Sequence, residues 1–181
     1  LPTEWDANNN GRWDGYMPDC FFNFDSEGFD LNPDEKETGW RAFAYTPFPG
    51  TFWPTNGSTG DIIIRLAPSL RQNTDGQFDR NVYQLNLAIV ESVVTKRDVF
   101  IDPIEEKQFG VDIDKNGRLD TASKVVFDWA PLEGKTMSYV GLAKKELEEG
   151  NIHIAAGLYP EGTEFLHSVR YIGVNDAGNI F

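Results

Sequence analysis

The stretch Asp112-Ile113-Asp114-Lys115-Asn116-Gly117-Arg118-Leu119-Asp120 constrains this chain more than any other. It places oxygen-bearing side chains at its first, third, fifth and ninth positions and a glycine at the sixth. A hard divalent cation gathers about six to eight oxygens at short range, and alternate residues of a coiled loop all point inward only if the sharp turn falls on a residue free to take positive φ. Gly117 occupies that turn, Arg118 supplies a backbone carbonyl at position seven, and Leu119 is expected to point inward and tie the loop to the core. The frame recurs near the start as Asp6-Ala7-Asn8-Asn9-Asn10-Gly11-Arg12-Trp13-Asp14, where Asn8 and Asn10 are neutral ligands, Arg12 lends its carbonyl and Asp14 closes the set. With fewer charges it is expected to bind more weakly. A partial copy, Asn73-Thr74-Asp75-Gly76-Gln77-Phe78-Asp79, has Arg71 at position one, which no cation tolerates, so it reads as a turn.

Both full frames resemble the calcium loops of dockerins, thrombospondin repeats and EF-hands, a likeness confined to the loops themselves. The resemblance implies one or two Ca2+ sites, with Asp112, Asp114, Asn116, Arg118 and Asp120 as one ligand set and Asp6, Asn8, Asn10, Arg12 and Asp14 as the other. Where an EF-hand has a bidentate glutamate at position twelve, this chain has Ser123 and Met17, so the missing oxygens are expected from Asp128, Asp19 or water. The competing reading is a run of Asx turns without an ion, since Asn, Asp and Gly satisfy their own backbone in loops.

A net charge of -13 and the lack of any basic cluster argue against nucleic acid, whose phosphates must be met by Lys and Arg. No run approaches the eighteen or so apolar residues of a membrane span. The single cysteine, Cys20, excludes an internal disulfide framework and a cysteine-rich zinc site. Weak calcium loops work where calcium is millimolar, which favours a periplasmic or extracellular bacterial protein. The start at Leu1-Pro2-Thr3 and the abrupt end at Ile180-Phe181 lead us to expect a removed signal peptide or a longer parent chain.

The 181 residues fit one domain, with 1–60 as an irregular, aromatic-rich arm and 61–181 as a β-rich core. Trp40 to Tyr45 and Asp61 to Leu66 read as strands. Asp79 caps an expected helix in which Val82, Leu85, Ile89 and Val93 fall at helical spacing, ending near Lys96-Arg97. Val99–Ile104, Gln108–Ile113 and Ser123–Trp129 read as strands around the central loop, a hairpin whose connection holds the ion. Lys144–Glu149 reads as a short helix, and Asn151–Tyr159 and Glu164–Val174 as strands joined by the turn Pro160-Glu161-Gly162. The expected class is β-rich α+β, an antiparallel sheet or sandwich with one main helix and long calcium-stabilised loops.

Catalytic signatures are sparse. No nucleophile elbow, nucleotide-binding glycine loop or His-Glu-x-x-His occurs, and His153 and His167 sit in runs that read as ordinary strand positions. The aromatic, proline-rich segment Trp40 to Ser58 offers Trp40, Phe52 and Trp53 as ligand-stacking rings. That segment with Asp61 to Leu66 resembles sequence from large extracytoplasmic proteins of Gram-negative bacteria that carry c-type haem elsewhere. The resemblance implies a place in a multidomain redox protein with electron transfer. No Cys-x-x-Cys-His is present, so no covalent haem is expected in this segment, although Met137, His153 or His167 offers an axial ligand. The leading expectation is a non-catalytic, calcium-binding extracytoplasmic domain that serves binding or assembly, with a protein or further domains of its own chain as partner. The alternatives are a carbohydrate-binding module and a glycoside hydrolase using an acidic pair.

Overall fold

A computed structural model describes residues 22–43 and 62–167. Its contacts divide the chain into two compact units, Leu1–Ala42 and Phe43–Phe181. The protein is β-rich α+β, with antiparallel strand pairing and one main helix.

In the first unit, strand β1 (Phe29–Leu31) pairs antiparallel with β2 (Glu37–Phe43). The arm was expected to be irregular ahead of the strand at Trp40, and β1 corrects that. A tight connection closes the pair: Asn32 Oδ1 accepts the amides of Asp34 and Lys36, so an Asx turn replaces a longer loop. Phe29 is fully buried, and Arg41 lies over its ring at 5.2 Å from the centroid.

The second unit is built around α1 (Arg80–Thr95). Asp79 accepts the amides of Asn81 and Val82, the N-cap its sequence predicts, and Lys96 closes the far end in the left-handed region. The helix buries Val82, Leu85, Ile89 and Val93, as their spacing requires, and Asn86 with them. Asn86 is a buried polar clamp rather than a lapse in the pattern: its Nδ2 donates to the carbonyls of Leu70 (2.9 Å) and Val140 (3.1 Å), and its Oδ1 accepts the Val140 amide (2.9 Å). The chain leaves this clamp through Gly141, at φ 67°, into the short helix α2 (Leu142–Glu148). A Cβ on Gly141 would meet the Gln72 carbonyl oxygen at 2.3 Å, so no other residue fits there.

Strand β3 (Ile62–Arg65) pairs antiparallel with β6 (Glu164–His167), Ile63 opposite Leu166 and Arg65 opposite Glu164, whose side chains also form an ion pair. The turn at Pro160–Thr163 leading into β6 is as expected, the Thr163 amide donating to the Pro160 carbonyl. Asn151–Tyr159 is not a strand. It runs as bends and turns against the helix end, where the Gly157 amide donates to Val93.

Strands β4 (Val99–Glu105) and β5 (Thr121–Val125) form the antiparallel hairpin around the central loop. The register shifts between Phe100 and Ile104, where Pro103 has no amide to offer the ladder. The expected strand Gln108–Ile113 is instead a turn of 3-10 helix at Glu106–Gln108 followed by loop, with Gly110 at positive φ. The strand expected over Ser123–Trp129 begins earlier and stops at Val125; Phe127 donates its amide to Asp98.

Candidate metal centre

The loop between β4 and β5 is closed by backbone amides that converge on carboxylates. Asp112 takes the Asn116 amide on Oδ1 (3.1 Å) and the Gly117 amide on Oδ2 (2.9 Å), while Asp114 Oδ1 takes the Asn116 amide as well (3.1 Å). Gly117 has φ 82°, and a Cβ there would meet nothing, so backbone conformation and not crowding selects glycine. The Asn116 Oδ1 accepts the Arg118 amide at 2.8 Å, and its Nδ2 spans Asp114 and Asp120, each at 3.0 Å.

Beneath this coil lies a residue the loop frame does not contain. Glu106 is fully buried, yet no lysine or arginine pairs with it among the described residues. Its Oε1 accepts the amides of Ile113 and Asp114 (the latter at 3.2 Å), and its Oε2 accepts that of Asp120 at 3.1 Å. One side chain thus fastens both ends of the loop. A ligand-capable oxygen from each of Glu106, Asp112 and Asp114 lies within 4.8 Å of the others. Two ionised carboxylates at such a separation repel by about 3 kcal/mol at an effective dielectric of about 20, less where water reaches them as it does Asp112 and Asp114. The amides offset part of that repulsion. A divalent cation would reverse its sign.

The donor set suits a hard cation: carboxylates and a carboxamide, with neither thiolate nor imidazole. Oxygen and nitrogen of the Asn116 carboxamide exchange by a half-turn, so the group that now donates to two carboxylates is also able to offer an oxygen. Glu106 brings to the loop a carboxylate of the kind that the frame lacks at position twelve, and Asp128, expected to supply it, is instead paired with Lys135 at 3.6 Å. Leu119 corrects a second expectation. It is 38% exposed, whereas Ile113 at position two is 3% exposed and anchors the loop. A faint signal for Glu106 exists in the sequence: once the bulge at Pro103 resets the alternation, Ile104 and Glu106 share the inward phase.

Of the other expected site residues, Asp6, Asn8, Asn10, Arg12, Asp14, Phe52 and Trp53 lie outside the described residues, as do Cys20, Met17 and Asp19. Trp40 sits half-buried on β2, edge-on to Phe22 at 6.3 Å, and Phe22 stacks on Phe24 at 5.4 Å. Met137 is buried and shares a small hollow with Ile89, Val111, Ile113 and Val125, a core position and not a surface ligand. His153 is exposed on the turns after α2, and His167 lies at the end of β6. The Asn73 copy is a turn, as expected: Asn73 Oδ1 accepts the amides of Asp75 (3.0 Å) and Gln77 (3.1 Å).

Comparison with known proteins adds a family. The model of a lipoprotein family matches residues 6–180. The chain belongs to that family. An uncharacterized lipoprotein of Aquifex aeolicus (strain VF5) is 32% identical over 152 residues, 83% of this chain and 22% of that protein. The chain therefore spans only about a fifth of that relative's length. No solved structure matches. Membership places the chain among secreted, envelope-associated bacterial proteins. No helix among the described residues is long and apolar enough to cross a membrane.

Proposed function

We propose that the loop of residues 106–120 is a calcium site, and that the chain is a non-catalytic binding or assembly module of an envelope lipoprotein, working in the periplasm or outside the cell. The observation that carries the reading is the buried Glu106 carboxylate beside Asp112 and Asp114, three acidic groups converging with no basic side chain on them among the described residues. Each like pair opposes folding even where backbone amides offset part of the repulsion, and a cation that joined the three would turn that penalty into a gain. Location and chemistry are compatible, since a loop that lacks the bidentate glutamate and binds weakly would fill at the millimolar calcium found outside the cytoplasm.

The ion would act on the hairpin. Glu106 joins the end of β4 to the amides that precede β5, so a cation held by Glu106, Asp112 and Asp114 links both strands through one centre. A ligand at a hundred times its dissociation constant adds about 2.7 kcal/mol to folding. Thermal melts test this directly. Calcium is expected to raise the Tm of the protein and EDTA to lower it by several degrees, with Asp114→Ala insensitive to both. Equal melting of the wild-type chain in calcium and in EDTA removes calcium from the account.

That the chain is one part of a larger protein is in keeping with its spanning about a fifth of its relative's length. The redox role implied by the resemblance of Trp40 to Ser58 with Asp61 to Leu66 would belong to such a larger protein, and an absorbance spectrum of the full-length molecule, with or without a Soret band, tests it.

A further inference from the structure

The loop contains an Asn-Gly pair, Asn116-Gly117, whose reactivity the structure holds in check. In such pairs the glycine amide nitrogen is unhindered, because no side chain shields it from the asparagine carboxamide before it. In this loop each polar group of that reaction is already hydrogen-bonded. The Gly117 N–H donates to Asp112 Oδ2 at 2.9 Å, the Asn116 Oδ1 accepts from Arg118, and the Asn116 Nδ2 donates to Asp114 and Asp120. The nucleophilic N–H is held by one carboxylate, and the carboxamide that it would attack is held by the Arg118 amide and two other carboxylates. Asn116 is nonetheless exposed, so burial gives it no protection and the hydrogen bonds alone must.

We propose that Asn116 is a latent modification site, deamidated when the 112–120 loop opens and protected while the loop is closed. In the open loop the Gly117 nitrogen gives up its proton to water or hydroxide and attacks Asn116 Cγ. A new C–N bond forms as the Cγ–Nδ2 bond breaks and the nitrogen leaves as ammonia. Water then opens the cyclic imide at either carbonyl. One product is aspartate at loop position five, which adds a carboxylate. The other is isoaspartate, which carries the backbone through the side chain, adds a carbon to the main chain and spoils the turn at Gly117. The chemistry thus records how often this loop has opened, and it depends on the hydrogen bonds above whether or not the site binds calcium.

The test is peptide mapping of the folded chain incubated at mildly alkaline pH in EDTA, set against the excised peptide containing Asn116 under the same conditions. Conversion is read as the mass gain of amide to acid and as isoaspartate. Protection through a local opening equilibrium is expected to slow Asn116 at least about tenfold relative to the free peptide. Asp112→Ala, which releases the Gly117 N–H, is expected to recover most of the peptide rate, whereas Asn73→Ala in the other turn leaves it slow. Equal rates in the folded chain and the peptide overturn the proposal, as does an Asp112→Ala chain that retains its native circular dichroism and still converts slowly. If Asp112→Ala fails to fold, the wild-type comparison decides alone. A slow folded-state rate together with calcium-independent melting would leave this inference standing while removing the calcium reading.

Discussion

The turn at 73–79 and the loop at 112–120 share a local grammar of Asn or Asp, a glycine in the left-handed region and a closing Asp, yet they end in different places. In the first, Gly76 has φ 76°, Asn73 caps its own turn, Gln72 bridges to Phe78, and Asp79 is committed to the N-cap of α1. In the second, Gly117 has nearly the same φ, 82°, but the carboxylates face inward over a buried Glu106. Local sequence specifies the backbone coil in both. What separates a turn from a candidate metal centre is the side chain at position one, Arg71 against Asp112, together with a residue six positions upstream of the frame, brought beneath it by the end of β4.

Changes at the two regions should therefore have unequal consequences. The largest effect is expected from Glu106→Ala, which strands the amides of Ile113, Asp114 and Asp120 in a poorly hydrated place and should cost about 3–5 kcal/mol in urea unfolding. A loss below about 1 kcal/mol would mean the loop holds itself, as the 73–79 turn does. Gly141→Ala comes next, at about 2–4 kcal/mol, because its Cβ would press on the Gln72 carbonyl that leads into the first turn. Asp79→Ala is expected to cost about 1 kcal/mol, the usual worth of an N-cap, with no change in any response to calcium. A calcium response lost in Asp79→Ala would erase the distinction between the two regions.

The smallest effect concerns acid. At the far end of the hairpin Asp98 accepts the Phe127 amide at 3.0 Å and pairs with Lys124 at 3.2 Å, and these, in that order, hold its carboxyl below the usual aspartate range. A group depressed in the folded state stabilises fully above its unfolded pKa and loses that contribution as pH falls through the folded one. Melting curves from neutral to acid pH should accordingly show a slightly shallower decline for Asp98→Asn than for the wild type. Identical slopes would leave the hairpin's closure to its ladder alone.

Much of this was readable from the residues. Asp79 followed by apolar residues at helical spacing located α1, and of the runs expected around the central frame Val99–Ile104 and the start of Ser123–Trp129 located the hairpin while Gln108–Ile113 did not, because caps and periodicity are local signals. The loop's backbone followed from Gly117. The rest depends on contacts distant in sequence. Glu106 carries no mark of its role beyond a phase reset at Pro103, and Asn86 looks like an error in an apolar face until Leu70 and Val140 bring their backbones to it. Leu119 was expected inside because EF-hand loops place an apolar residue there, but Ile113 already fills the core at this end. Asn151–Tyr159 was read as a strand but is tied by its backbone to Glu146 and Val93 instead of to a neighbouring strand, contacts that sequence does not reveal.

The most direct test of the central claim is a residue-resolved amide titration of the folded protein with calcium. Saturable shifts at Ile113, Asp114, Gly117 and Asp120, with Asp75 and Gln77 unmoved, are the predicted result. Amides of 113–120 that stay still up to millimolar calcium would contradict it.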